Sequence, residues 1–213
     1  MGISPRDFQQ MQTRMIRATR GAGRTAGAGA GPSAARVPDL GPDVIPRHAV
    51  ILGVDPSLRG TGYGVIHWTK AGARMLAQGT VRCSPTWQRS RCLLLIHQTL
   101  RDVLREHQPT VCVVESLFYA QNFQTTLIMG EARGAGLVAV AEAGLDIFEI
   151  APRKVKQAMV GYGAAQKLAV AKMVQRLLGL DDVPDADAAD ALALALTFAQ
   201  ETGRHSLTPQ KRV

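Results

Sequence analysis

Residues 51–66 read ILGVDPSLRGTGYGVI. The apolar run 49–54 ends on Asp55, Pro56 and the glycines at 60, 62 and 64 follow, and 63–68 is again apolar and aromatic. Short apolar runs punctuated by Pro and Gly are strand signals, so this stretch predicts strand, turn, strand. The first strand of that hairpin carries a carboxylate at its end.

Outward from the hairpin, 74–83 is compatible with a third strand, and 86–107 places Leu93, Ile96, Leu100 and Leu104 at helical spacing before Pro109 closes the helix. Residues 111–114 form a β-branched apolar run that ends on Glu115, repeating the arrangement at Asp55. Asn122 is placed to cap a helix of small residues reaching about Ala143, and 146–150 reads as another buried strand. Helices are predicted over 152–160, 165–178 and 186 to about 201, the first two separated by the turn Gly161, Tyr162, Gly163. A strand meander, then βαβ units, then terminal helices means an α/β fold with one sheet covered by helices in a single domain.

The chain has 213 residues, the length of one domain with tails and too short for two full lobes around a cleft. Its 25 basic against 17 acidic side chains leave a formal charge of +8, which suits a polyanionic partner. Half of that excess lies in the first fifty residues, where seven arginines face Asp7, Asp39 and Asp43 amid seven glycines. Such a stretch buries too little to offset its ordering entropy, so 1–48 is expected to be a disordered basic extension, 49–201 the folded domain and 202–213 a flexible basic tail. Cys83, Cys92 and Cys112 are too few and too scattered for a zinc cluster or a disulfide framework, and point to the cytoplasm. No apolar run approaches the roughly 18 residues of a bilayer span, so no membrane association is expected.

Asp55 and Glu115 lie sixty residues apart, each at the C-terminal end of a strand, where open α/β sheets place their ligands if the two strands are neighbours. Asp187 and Asp190 are spaced i, i+3 near a helix start, so both side chains can point the same way. Four carboxylates at one spot repel strongly. Hard divalent cations relieve that repulsion, and ligation by oxygen alone suits Mg²⁺ or Mn²⁺ rather than zinc. Two such ions about 3.5 to 4 Å apart can generate hydroxide and stabilise a leaving 3′ oxygen, which is phosphodiester hydrolysis. Two other readings compete. Asp187 could be an N-cap within the acidic run of Asp181, Asp182 and Asp185, favoured by the helix dipole alone. The glycine-rich hairpin could cradle a phosphate as in sugar kinases and actin-like ATPases, although that design needs a second lobe.

The segments ILGVDPSLRGTGYGVI, VVESLFYAQN, GEARGAGL, APRKVKQAMVGYG and DADAADALALAL occur in an order and spacing similar to the RuvC family of crossover junction endodeoxyribonucleases, over about residues 50–199. The resemblance implies an RNase H-like mixed β-sheet flanked by helices, and a homodimer that resolves Holliday (four-way) junctions in recombination and repair. It also implies two Mg²⁺ per subunit, with Mn²⁺ as a substitute, and branch-migration proteins as partners. Motif matching assigns Asp55, Glu115, Asp187 and Asp190 to catalysis and metal binding. Phe118 matches an aromatic side chain that stacks on a base near the crossover, and Tyr119 follows it in the same loop. Lys156 and Lys167 match basic residues set against the DNA backbone. Arg153 and Lys154, with those two, bracket the Gly161 to Gly163 turn and suit a phosphate backbone. The chain departs from the family at 84–91, which carries Trp87 and two arginines, and in the extension before Ala49. A catalytically inactive nucleic-acid-binding module of the same fold is the alternative. The four carboxylates disfavour it, because a binder gains nothing from a negative cluster facing a polyanion.

Overall fold

Alternation along the strands decides which side chains meet which helices. In the computed structural model the described residues are 49–69, 71–116, 123–203 and 211–213. They form a mixed sheet of order β3-β2-β1-β4-β5-β6. Strands β1 (Ala49–Asp55), β2 (Gly60–Thr69) and β3 (Gly72–Arg82) make an antiparallel meander. Helix α1 (Arg89–His107) returns the chain to β4 (Val111–Glu115), parallel to β1, and α2 (Phe123–Glu142) leads to β5 (Ile147–Ile150), parallel to β4. The chain continues through α3 (Pro152–Val160), α4 (Lys167–Leu178) and α5 (Ala186–Gly203), and β6 (Lys211–Arg212) runs antiparallel to β5.

Ile51, Val111, Val113, Phe148 and Ile150 face a layer built from α3, α4 and α5. Leu52, Val54, Cys112 and Val114 point the other way, into a layer built from α1 and α2. Strand β4 is therefore apolar at consecutive positions, as a strand covered on both faces requires. The three cysteines are buried free thiols. Among the described residues, no helix is long and apolar enough to cross a membrane.

Helix α5 is the central element, with Ala188, Ala189 and every residue from Ala191 to Ala199 buried. It lies directly on β1 and β2 because the sheet is glycine beneath it. A Cβ at Gly53 would stand 2.0 Å from the Ala191 carbonyl oxygen, and one at Gly62 only 1.9 Å from that of Asp187. One at Gly64 would meet the Leu192 side chain at 2.6 Å. The glycines at 60, 62 and 64, expected in the turn, thus belong to β2, and the turn is the shorter segment 56–59. Their open face is filled by the backbone and side chains of α5, which leaves no room for a phosphate cradle there.

Two further differences from expectation lie at element ends. Helices α1 and α4 begin at Arg89 and Lys167, not at 86 and 165. Within the segment expected as a flexible tail, α5 continues to Gly203, and Lys211 and Arg212 pair with Glu149 and Phe148. Side chains account for that docking: Lys211 Nζ is 2.6 Å from Glu149 Oε2, and the Arg212 guanidinium lies 5.5 Å from the Phe148 ring and 3.2 Å from Asp146. The extension 1–48 and the cap at Asn122 lie outside the described residues.

Candidate active site

Strands β1 and β4 pair with an offset of sixty, Ile51 through Val54 against Val111 through Val114. The next residue on each strand is therefore Asp55 beside Glu115, and alternation turns both side chains to the face that carries α5. Their carboxyl groups share a hydrogen bond. Burial pushes the Asp55 carboxyl up to about 8, aided by the negative charges of Glu115 and Asp190. Burial also raises Glu115, with Asp190 adding to the effect and the bond from Asp55, Lys167 and Lys156 opposing it.

The other two carboxylates arrive on α5. The Ala189 amide donates to the Asp185 carbonyl at 2.7 Å, so Asp185 is the cap residue just before the helix, and it pairs with Arg82 at 2.6 Å. Asp187 therefore stands inside the first turn and is not the cap. The glycine seat puts Asp187 over the start of β2, where a Cβ at Gly60 would lie 2.7 Å from its Oδ2. Asp190, one turn on, receives a 2.6 Å hydrogen bond from Nζ of Lys167, the first residue of α4. That bond raises the Lys167 ammonium above its ordinary range against the effect of burial, and the charges of Asp55 and Asp187 act in the same direction.

Four carboxylates and one ammonium thus face each other at the C-terminal edge of β1 and β4. Among the described residues, no group of three or more His, Cys, Asp or Glu side chains is gathered tightly enough to grip an ion. Asp55 and Glu115 are bonded to each other, and Asp190 to Lys167. The donor chemistry nevertheless fits a hard divalent cation. The ligand set is carboxylate oxygen only, and the repulsion that raises Asp55 is the repulsion a cation removes.

The remaining sequence-derived site residues are distributed unevenly. Lys156 is near enough to lower Glu115 electrostatically. Lys154 pairs with Glu201 at 2.9 Å, fourteen residues beyond Asp187 and about 21 Å further along α5. Arg153 is exposed, and its stem crosses Gly163, where a Cβ would meet Arg153 Cγ at 2.5 Å. Phe118 and Tyr119 lie outside the described residues. Sequence reasoning passed over Arg133, which is 6% exposed and donates from Nη1 to the Glu115 carbonyl at 2.7 Å. Its signal was a lone arginine among the small residues of GEARGAGL, where a buried charge must find partners.

A raised carboxyl pKa has a consequence for stability. Asp55 binds its proton more tightly folded, at about 8, than at its ordinary value of 3.8. The stability it contributes is full below about pH 4 and is lost as pH rises through 8. The melting temperature of the metal-free protein is expected to fall from pH 5 to pH 8.5, and added Mg²⁺ should restore much of the loss at the upper end. Differential scanning fluorimetry across that range, with EDTA or Mg²⁺, checks both; a profile indifferent to Mg²⁺ would count against metal binding.

A mixed sheet with carboxylates ending its first and fourth strands, crossed by a helix that brings two more, places the chain among the RNase H-like nucleases. A family model described as crossover junction endodeoxyribonuclease RuvC matches residues 51–198. The chain belongs to that RuvC family. RuvC of Akkermansia muciniphila is 46% identical over 147 residues, covering 69% of this chain and 88% of the relative. RuvC of Chromohalobacter salexigens is 41% identical over 162 residues, 76% of this chain and 87% of that one. Thermus thermophilus RuvC, solved in complex with a Holliday junction substrate, superposes with a TM-score of 0.71 at 35% identity, covering 78% of this chain and all of the other.

Proposed function

We propose that this chain resolves four-way DNA junctions by metal-dependent phosphodiester hydrolysis, with Asp55, Glu115, Asp187 and Asp190 as one catalytic centre. The observation that carries the reading is the hydrogen-bonded pair Asp55 and Glu115 at adjacent strand ends, with α5 seated on glycine so that Asp187 and Asp190 reach the same edge. These four side chains hold two Mg²⁺ per subunit, or Mn²⁺ in their place. Bound there, the ions supply a hydroxide from water and charge neutralisation at the leaving 3′ oxygen. Lys167 holds Asp190 until substrate arrives and then offers its ammonium to the scissile phosphate, while Lys156 and Arg153 track the backbone beside it. Lys154, tied to Glu201, is left to stabilise the helical layer. Phe118, with Tyr119 next to it, stacks on a base exposed at the branch point.

The active form is a two-fold homodimer, because a four-way junction yields intact duplexes only when two symmetry-related strands are cut. Leu94 on α1 and Val138 on α2, 55% and 52% exposed on the sheet face opposite the carboxylates, support a contact there. The enzyme works in the cytoplasm beside branch-migration proteins. The basic extension 1–48 adds affinity for DNA at low salt. Incubating the protein with an end-labelled four-way junction tests the reading. Mg²⁺ should give paired, symmetric nicks that are absent in EDTA and on linear duplex. Tight junction binding without cleavage in Mg²⁺ or Mn²⁺ would instead establish an inactive binding module.

A further inference from the structure

Arg133 projects from α2 to the end of β4 on the sheet face opposite the carboxylates. Its Nη1 donates to the Glu115 carbonyl at 2.7 Å, and its Nη2 is bonded to Glu149 Oε1. Glu149 belongs to β5, is itself 12% exposed, and receives Lys211 Nζ of β6 on its other oxygen at 2.6 Å. The guanidinium is therefore held from behind by a half-buried carboxylate while it reaches a single backbone oxygen at the candidate active site.

That oxygen has a particular need. In β4, Cys112 and Ser116 direct their amides to β5, at Asp146 and Ile150, so the odd-numbered residues direct their backbone groups to β1. With an offset of sixty, the ladder partner of the Glu115 carbonyl is the amide of residue 56. Residue 56 is proline and has no N–H to give. The strand end that carries Glu115 thus lacks its last rung to β1, and a half-buried carbonyl would be left unpaired. Pro56 and Arg133 line the same small cavity, together with Val54, Cys112 and Val114 of the two strands and residues of α2.

We infer that Arg133 is a positioning residue that supplies the hydrogen bond Pro56 cannot, and so fixes the backbone from which the Glu115 carboxylate is aimed at Asp55. The inference rests on the assignment of Glu115 to the catalytic centre. Proline at 56 starts the turn after Asp55, and Arg133 makes good the donor lost from the sheet. Glu149 orients the guanidinium for that task, and Lys211 occupies the other oxygen of Glu149. Arg133 touches neither substrate nor metal; it acts through the Glu115 main chain.

The test uses the full-length protein and three variants, with junction cleavage and Mg²⁺-dependent melting temperature as independent readouts. Arg133→Lys keeps the charge beside Glu149 but cannot span both acceptors. It should lower kcat about ten-fold at unchanged KM and raise several-fold the Mg²⁺ concentration that gives half of the thermal stabilisation. Arg133→Met combined with Glu149→Met replaces the ion pair with apolar volume, guards against a folding failure from an unpaired buried charge, and should show the same two shifts. A purely structural role for Arg133 would change the metal-free melting temperature and leave kcat and the Mg²⁺ midpoint alone. Folded variants of that behaviour overturn the inference. Glu115→Gln separates the two levels: if it cleaves normally, the assignment of Glu115 itself is wrong, whereas an inactive Glu115→Gln beside fully active Arg133 variants rejects the positioning role only.

Discussion

Asp55→Asn is expected to lower junction cleavage by about 10³-fold while raising the melting temperature of the metal-free protein at pH 8. The two changes share one cause. Burial, together with the negative charges of Glu115 and Asp190, disfavours the Asp55 carboxylate and pushes its pKa up to about 8. Asparagine removes that charge, and its amide can still donate to Glu115 as the Asp55 proton does. The loss of activity corresponds to about 4 kcal/mol of transition-state stabilisation, the size expected when one component of a charged catalytic centre is removed. The thermal gain should shrink as pH falls towards 4, where Asp55 in the parent protein is already protonated. Single-turnover cleavage and a melting series over pH measure the two halves. A variant that loses activity and stability together at pH 8 would mean that Asp55 supports the fold and that its charge is not strained.

Gly62→Ala is the second large effect, and here activity and stability should fall together. The added methyl would sit 1.9 Å from the Asp187 carbonyl oxygen, which belongs to a helix backbone and cannot rotate aside. Helix α5 must lift from β2 at the turn that bears Asp187. Overpacking against fixed neighbours costs typically about 1 to 3 kcal/mol, and backbone on both sides places this case at the upper end. For a domain of this size about 3 kcal/mol is on the order of 10 °C in Tm. Cleavage should drop at least ten-fold even at a temperature where the variant stays folded, because Asp187 moves with the helix. Gly134→Ala supplies the contrast. Its Cβ would meet nothing within 4 Å in the middle of α2, so alanine's higher helix propensity should leave Tm unchanged or slightly raised. Equal effects at the two positions would reject the seat.

Much of this protein is legible in one dimension. Short continuous apolar runs ending on an acid marked β1 and β4 with Asp55 and Glu115, because a covered strand must be apolar until it leaves the sheet. A period near 3.6 marked α1, and the i, i+3 spacing put Asp187 and Asp190 on one helix face. Relations between distant segments were not legible in that way. The offset of sixty that sets Asp55 against Glu115 is a property of strand pairing. The role of the glycines at 53, 62 and 64 appears only when α5, more than 120 residues later, is laid across them.

The same division explains the side chains. A lysine expected against DNA is bonded to Asp190, an arginine that read as part of a small-residue helix completes the sheet at Glu115, and a tail that read as flexible ends in a strand on β5. Local sequence, by itself, determined which segments are strands and helices and which acids end them, since those depend on neighbours within a few residues. Tertiary structure alone decided register, close approach and the partners of each charge. Each of those depends on atoms brought within a few ångströms from segments that share no local pattern.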